Sequence, residues 1–185
     1  MNYWTGKKIR LRGLEPEDYE FFYNWNQDTE TARNIAWLWF PTSKASVQEW
    51  AQSESLKKGE NDEFFFVIET LDGEPVGSIN ANSVSKLDGS FRYGVGIVDK
   101  ARRKGYAKEA IQIFLNYYFN ELRYNKVNAG VYEFNENSIT LHQKMGFVQE
   151  GRLRQTKYSQ GKYWDVFIFG MTREEYNQKV AQGVF

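Results

Sequence analysis

The chain contains no cysteine, one histidine and three prolines among its 185 residues. Without thiols there can be no disulfide, no thiolate nucleophile and no cysteine zinc site. A single histidine excludes every motif that needs two, so no metal is expected. An excess of one charge sign is missing as well, because 24 Lys and Arg face 24 Asp and Glu. A dedicated nucleic-acid binder gains affinity by neutralising phosphates, and a polybasic surface protein by meeting anionic lipid; neither nucleic acid nor membrane is expected as a partner. The longest wholly apolar run, Ile35 to Phe40, falls far short of the ~20 residues of a membrane helix. The stretch from Met1 to Lys8 carries no apolar core like that of a signal peptide. These absences leave a soluble cytoplasmic protein. With no internal repeat and no Pro/Gly/Ser-rich linker, residues 1–185 are expected to form one domain.

Strands and helices alternate along the chain. Lys8 to Leu14 alternates Ile9, Leu11 and Gly13 with basic residues, which predicts a strand. Pro16 among Glu15, Glu17 and Asp18 marks a helix start, and that helix fades by about Gln27. Thr42 or Ser43 caps a second helix that ends at Gly59. Phe64 to Glu69 and Val76 to Ser83 flank Asp72-Gly73, a two-residue hairpin signal. Phe91 to Val98 is the next strand, and Gly94 and Gly96 within it suggest a bulge or the close approach of a ligand. Ala107, Ala110, Ile111, Phe114, Leu115, Tyr118 and Leu122 form the clearest helical stripe. Lys126 to Val131 is a strand, and Asn135 or Asn137 caps a short helix that stops at Gly146. Phe147 to Tyr158 and Tyr163 to Met171 form a last hairpin around Ser159-Gln160-Gly161-Lys162. The pattern predicts an α/β (α+β) fold with mainly hairpin-connected strands and one strand–helix–strand crossover between Phe91 and Val131.

The most informative segment is Arg102-Arg103-Lys104-Gly105-Tyr106-Ala107, between a glycine-punctuated strand and the strongest helix. A helix start presents unpaired N–H groups and a partial positive charge; Gly105 lets an anion reach them, and Ala107 keeps the first turn uncluttered. No Gly-Lys-Ser/Thr follows, so this is not a Walker loop, and Gly94-Val95-Gly96 lacks the third glycine of a dinucleotide fingerprint. The plain alternative is a solvated basic loop, which could also serve an anion-binding protein of another kind.

Arg102, Gly105 and Ala107 resemble the acetyl-CoA pyrophosphate loop of the GNAT N-acetyltransferases. Asn135 to Phe147 looks like the family's Asn-x-x-Ser-Ile…Lys-x-Gly-Phe stretch and follows at the spacing of one helix and one strand. Ile9-Arg10-Leu11-Arg12 with Glu17-Asp18, and Glu150-Gly151 with Tyr158, Gly161 and Asp165, are similar to the ribosomal-protein and polyamine acetyltransferase branch. The resemblance implies a single GNAT-like domain: a mixed, mostly antiparallel sheet with a splayed strand pair and helices on both faces. It implies direct attack of an amine on acetyl-CoA, to which an absence of cysteine is suited. Cofactor contacts would come from Gly96, Ile97, Val98, Arg102, Arg103, Lys104, Gly105, Tyr106, Ala107, Asn135 and Lys144. The splay would open a slot between the strands at Val95 and Val131. Branch relatives are often dimers, so a homodimer is among the expected partners.

Two proton transfers remain. An alkyl amine of pKa ~10.4 costs about 4 kcal/mol to deprotonate at pH 7.4. The positions where relatives place a carboxylate base hold Arg92 and Gly130 here, leaving Glu133, Glu30, Asp28 or ordered water. The thiolate needs an acid, and many relatives use a tyrosine where this chain has His142; histidinium could donate there, or the ring could simply pack against Ile139 and Met145. Five of the six tryptophans occur by position 50. Trp25 and Trp50 fit helix packing, whereas Trp37 and Trp39 in a loop-like run are candidate walls for a small-molecule or peptide amine. A non-catalytic acyl-CoA-binding regulatory module is the alternative reading, kept open by Arg92 and Gly130.

Overall fold

The structure, a computed structural model, describes residues 2–35, 38 and 40–185. The expected acceptor walls Trp37 and Trp39 lie outside the described residues. Hydrogen-bonded strands run in the order β1 (Ile9–Arg12), β2 (Phe65–Thr70), β3 (Pro75–Ser85), β4 (Ser90–Ile97), β5 (Lys126–Tyr132), β7 (Lys162–Thr172) and β6 (Val148–Ser159). Two compact units divide the chain: residues 1–81 with 94–113, and residues 82–93 with 114–185. Strands β3 and β4 contribute a segment to each.

In the first unit β1 (Ile9–Arg12) pairs antiparallel with β2 (Phe65–Thr70), and β2 with β3 (Pro75–Ser85). The turn after β2 is longer than the two residues expected. Thr70 and Pro75 bound it, Thr70 N–H donates to the Glu74 carbonyl, and Gly73 takes a φ of 91° that glycine adopts without a Cβ clash. A helical turn at Pro16–Asp18 leads into α1 (Tyr19–Trp25), as the proline and acids predict. The next helix, α2 (Thr29–Ile35), has no counterpart in the sequence reading, because it is only seven residues long with no apolar stripe. Ser43 caps α3 (Lys44–Ser55) by accepting from Ser46 N–H at 3.1 Å, and the helix stops short of Gly59. Phe22, Val47, Ala51 and Val67 form the core between α1, α3 and β2, and Trp25 and Trp50 pack against it, as their helical spacing predicts.

In the second unit β4 (Ser90–Ile97) pairs in parallel with β5 (Lys126–Tyr132), which pairs antiparallel with β7 (Lys162–Thr172), and β7 with β6 (Val148–Ser159). The parallel pair is joined through α4 (Tyr106–Asn116) and a π-helical turn over Tyr117–Glu121, the expected crossover. Its register stops at Arg92↔Asn128, although β4 runs on to Ile97 and β5 to Tyr132. The ladder therefore ends before Gly94 and Gly96. Phe91 stacks on Tyr118 at 4.2 Å between ring centroids, with Phe114, Phe119 and Tyr124 around it. Much of the aromatic excess is therefore core. Gln160 and Gly161, both at positive φ, close the β6–β7 hairpin in two residues. Past Met171 the chain adds α6 (Arg173–Ala181), missed in the sequence because its residues are nearly all polar; Thr172 and Glu175 close its capping box.

Candidate functional site

In the first unit the basic segment does sit where a strand gives way to a helix. After Ile97 a short helical turn, Asp99–Ala101, leads to Arg103 at φ 62° and Gly105 at φ 87°, and α4 begins at Tyr106. Among the described residues no acceptor takes the N–H groups of Arg103, Lys104, Gly105, Tyr106, Ala107 or Lys108; the first helical donation is Glu109 N–H to the Gly105 carbonyl. The last of these are the N–H groups that any helix start leaves open, at the positive end of its dipole, and Arg103, Lys104 and Gly105 are exposed. A Cβ at Gly105 would lie 3.2 Å from the Lys8 ammonium.

Arg102 has a different part from its neighbours. Its guanidinium donates to Thr31 Oγ1 at 2.6 Å, to Asp99 Oδ1 at 3.1 Å and to the Ile97 carbonyl at 3.3 Å. Thr31 in turn donates to Asp28, so Arg102 ties the loop to the start of α2. Burial would raise the Asp28 carboxyl, but the hydrogen bonds from Thr31 and the Arg102 charge outweigh it and hold the group below the usual carboxylate range. Asp28 is thus a capping group and a poor base. Lys8, which the sequence did not single out, donates to the Lys104 carbonyl at 2.9 Å. Its own N–H and that of Lys7 donate to Glu109 in the first turn of α4. No local signal could show this, since 96 residues separate Lys8 from Lys104.

Gly94 and Gly96 stand where a side chain would crowd its neighbours. A Cβ on Gly96 would meet Ile35 at 2.7 Å and Trp25 at 3.0 Å, and one on Gly94 would lie 3.2 Å from Asn80 Oδ1. A Cβ on Gly77 would stand 2.1 Å from the Gly96 carbonyl oxygen. Val98 N–H already donates to the Val76 carbonyl at 2.9 Å.

In the second unit α5 (Glu136–Lys144) starts where the sequence placed it. Asn135 Oδ1 accepts from Ser138 N–H at 3.1 Å, so the side chain expected to meet a cofactor also caps the helix. Lys144 is exposed in the last turn. His142 is 3% exposed and stacks on Phe169. Its Nδ1 lies 2.7 Å from the Ser138 carbonyl and its Nε2 2.8 Å from the Tyr93 hydroxyl. The arrangement that satisfies both has Nδ1–H donating to Ser138 and Tyr93 donating to Nε2. Burial pushes the imidazole below its usual range, against the carbonyl, which favours the protonated form. A neutral ring with both nitrogens engaged fits the packing alternative better than that of a proton donor.

Arg92 and Gly130 do lie together, and they are not a base. Arg92 Nη2 is 2.8 Å from where a Cβ of Gly130 would be, so the guanidinium rests on the bare backbone of β5. Glu133 accepts from Arg152 at 3.4 Å and from Asp165 N–H at 3.3 Å, which makes it part of the β6–β7 framework. Glu30 lies in the first turn of α2.

Residues 8–148 match the Acetyltransferase (GNAT) domain. Over 95% of its length the chain is 42% identical to a prophage-derived uncharacterized N-acetyltransferase, YokL, of Bacillus subtilis, covering 96% of that protein. It is 28% identical to the spermidine N(1)-acetyltransferase of Vibrio cholerae, over 86% of this chain and 90% of the other. The solved structure of spermidine N-acetyltransferase from Vibrio cholerae in complex with CoA and spermine shares the fold, with a TM-score of 0.81 at 23% identity, covering 93% of this chain and 99% of that one.

Proposed function

This chain belongs to the GNAT acetyltransferase family, and from that premise we propose that it moves an acetyl group from acetyl-CoA to a primary amine by direct attack, within one domain of residues 1–185. The observation that carries this reading is the row of N–H groups from Arg103 to Lys108 that no described residue accepts. Such a row, at an exposed helix start behind a basic loop, fits a pyrophosphate. Acetyl-CoA supplies the activated acyl group as a thioester. Arg103, Lys104, Gly105, Tyr106 and Ala107 bind its phosphates through backbone donors, and Arg102 holds that loop to α2. Gly96, Ile97 and Val98 contribute backbone contacts to the cofactor arm, with Asn135 and Lys144 as further cofactor contacts. Trp37 and Trp39 are assigned to the acceptor.

The nitrogen–carbon bond forms as the carbon–sulfur bond breaks, the amine loses a proton and the thiolate leaves. A backbone N–H on β4 aimed at the thioester oxygen would stabilise the charge that grows there. His142 shapes the wall of its unit, and the thiolate takes its proton from solvent. Acceptor classes are a protein N-terminus, a polyamine or another small amine; the protein acts in the cytoplasm. The likeness to spermidine acetyltransferases supports the amine class.

Incubation with acetyl-CoA and a panel of amines, following free thiol, tests the proposal. Amine-dependent thiol release is expected, and failure to bind acetyl-CoA would overturn it. A second reading, a non-catalytic acyl-CoA-binding regulatory module, draws on the cation and the glycine at positions 92 and 130. Tight acetyl-CoA binding with no turnover across the panel would favour it.

A further inference from the structure

Strand β1 is anchored at both ends of its first turn. Ile9 and Leu11 are buried, Gly6 N–H donates to the Ile9 carbonyl at 2.8 Å, and Thr5 pairs with Arg10 in an isolated bridge. From this base Lys8 reaches the loop before α4, within the same unit. The Lys8 ammonium donates to the Lys104 carbonyl at 2.9 Å, the Lys8 N–H donates to Glu109 Oε2 at 3.0 Å, and the Lys7 N–H donates to Glu109 Oε1. Gly6 passes so close that a Cβ there would run into the Glu109 carboxylate. The N-terminal segment is thus stitched to both the loop and the first turn of the helix.

The peptide between Lys104 and Gly105 is trans and planar, so its C=O and N–H point in opposite directions. Glycine tolerates either sign of φ, which leaves such a peptide free to flip at small cost. An ammonium held on the carbonyl selects one orientation and turns the Gly105 N–H to the far side, where no described residue accepts it. The charge also polarises the amide and makes that N–H a stronger donor. Among the described residues no carboxylate pairs with the Lys8 ammonium, so its charge adds to the positive end of the helix dipole.

We infer that Lys8 is a positioning residue of the cofactor loop: held on the Lys104 carbonyl, it fixes the following peptide so that the Gly105 N–H faces the pyrophosphate of acetyl-CoA. The inference rests on the acetyltransferase reading above. Lys8 acts through the loop backbone and not on the reacting atoms, so it governs how tightly the cofactor is held and leaves the transfer step alone.

Lys8→Met keeps the apolar stem and removes the clamp. Its Kd for acetyl-CoA, measured by calorimetry, should rise roughly tenfold, the worth of one charge-assisted hydrogen bond. KM for acetyl-CoA should rise in step, while kcat at saturation and KM for the best amine of the panel stay little changed. Lys8→Arg, which keeps the charge and a donor, should recover part of the affinity. Kd of the unmodified protein should also weaken more steeply with salt than that of Lys8→Met. Lys8 is exposed, so thermal melts of both variants should stay close to the parent. In amide NMR spectra the Gly105 proton of the unmodified protein should move downfield on addition of CoA, and should move less in Lys8→Met. An unchanged Kd in Lys8→Met, a fall in kcat with KM unmoved, or a Gly105 amide that CoA does not shift overturns the inference and leaves the acetyltransferase reading standing. Absence of acetyl-CoA binding in the unmodified protein overturns both.

Discussion

The Tyr93 hydroxyl donates to His142 Nε2 across 2.8 Å, joining β4 to α5 inside the second unit. Both groups are buried, and burial pushes the phenol up and the imidazole down, so each is held in its neutral form. The pair is a hydrogen-bonded clip whose members exclude charge.

A pH dependence of stability follows. The folded pKa of His142 is depressed below its ordinary 6.5, so above that value the ring contributes no pH dependence. As pH falls below it the unfolded chain takes up a proton that the folded chain refuses, and stability falls by up to about 1.4 kcal/mol per pH unit. Melting curves between pH 7.5 and 5 should show this slope in the unmodified protein and a flatter one in His142→Phe. Equal slopes would mean that the ring ionises in place.

His142→Phe also separates packing from catalysis. With the ring neutral and engaged, the pH–rate profile of the variant should keep its shape, with a modest loss of rate from repacking. A lost limb near neutral pH would restore the acid role. Tyr93→Phe should cost about 1–2 kcal/mol by leaving Nε2 buried without a donor, as read by denaturant unfolding.

Gly105→Glu should abolish acetyl-CoA binding. Position 105 sits at φ 87°, where a side chain is strained, and a carboxylate there would occupy the anion cradle. A loss of at least about 3 kcal/mol, or roughly a hundredfold in Kd, is expected by calorimetry, with the fold retained. Unchanged affinity would move the cofactor elsewhere.

Arg12→Leu should destabilise the first unit. Arg12 donates twice to Asp18, at 2.7 and 2.8 Å, and once to Glu69 at 2.7 Å, and both carboxylates are buried. Burial alone would raise the Asp18 carboxyl; Arg12 and the Glu15 N–H outweigh it and hold the group below its ordinary 3.8. Its contribution is therefore full above pH 3.8 and is lost as pH falls through the lowered value. Removing Arg12 should cost about 3 kcal/mol at pH 7, and the gap between variant and parent should close in acid. A constant gap would assign the loss to packing of the Arg12 stem.

Gly77→Ala tests the contact between β3 and β4. Its Cβ would stand 2.1 Å from a backbone oxygen, which cannot swing aside as a side chain can. A loss of about 2–3 kcal/mol in unfolding free energy is expected. Little change would show that the strands separate at small cost.

Short-range chemistry made much of this protein legible in its sequence. The Pro16 helix start, the Ser43 and Asn135 caps, the β6–β7 hairpin and the long stripe of α4 were all readable, because each depends on residues within a few positions of one another. The loop that precedes α4 was legible for the same reason, as a glycine and a basic run before a helix. The elements that escaped, α2 and α6, lack an apolar stripe. What tertiary structure decided was partnership. Only folding brings Lys8 to Lys104, Arg102 to Thr31, Tyr93 to His142 and Arg92 onto Gly130. Side-chain type tells which groups can bond; the sheet register and the burial it creates determine which ones meet, and whether they meet as charges or as neutral groups.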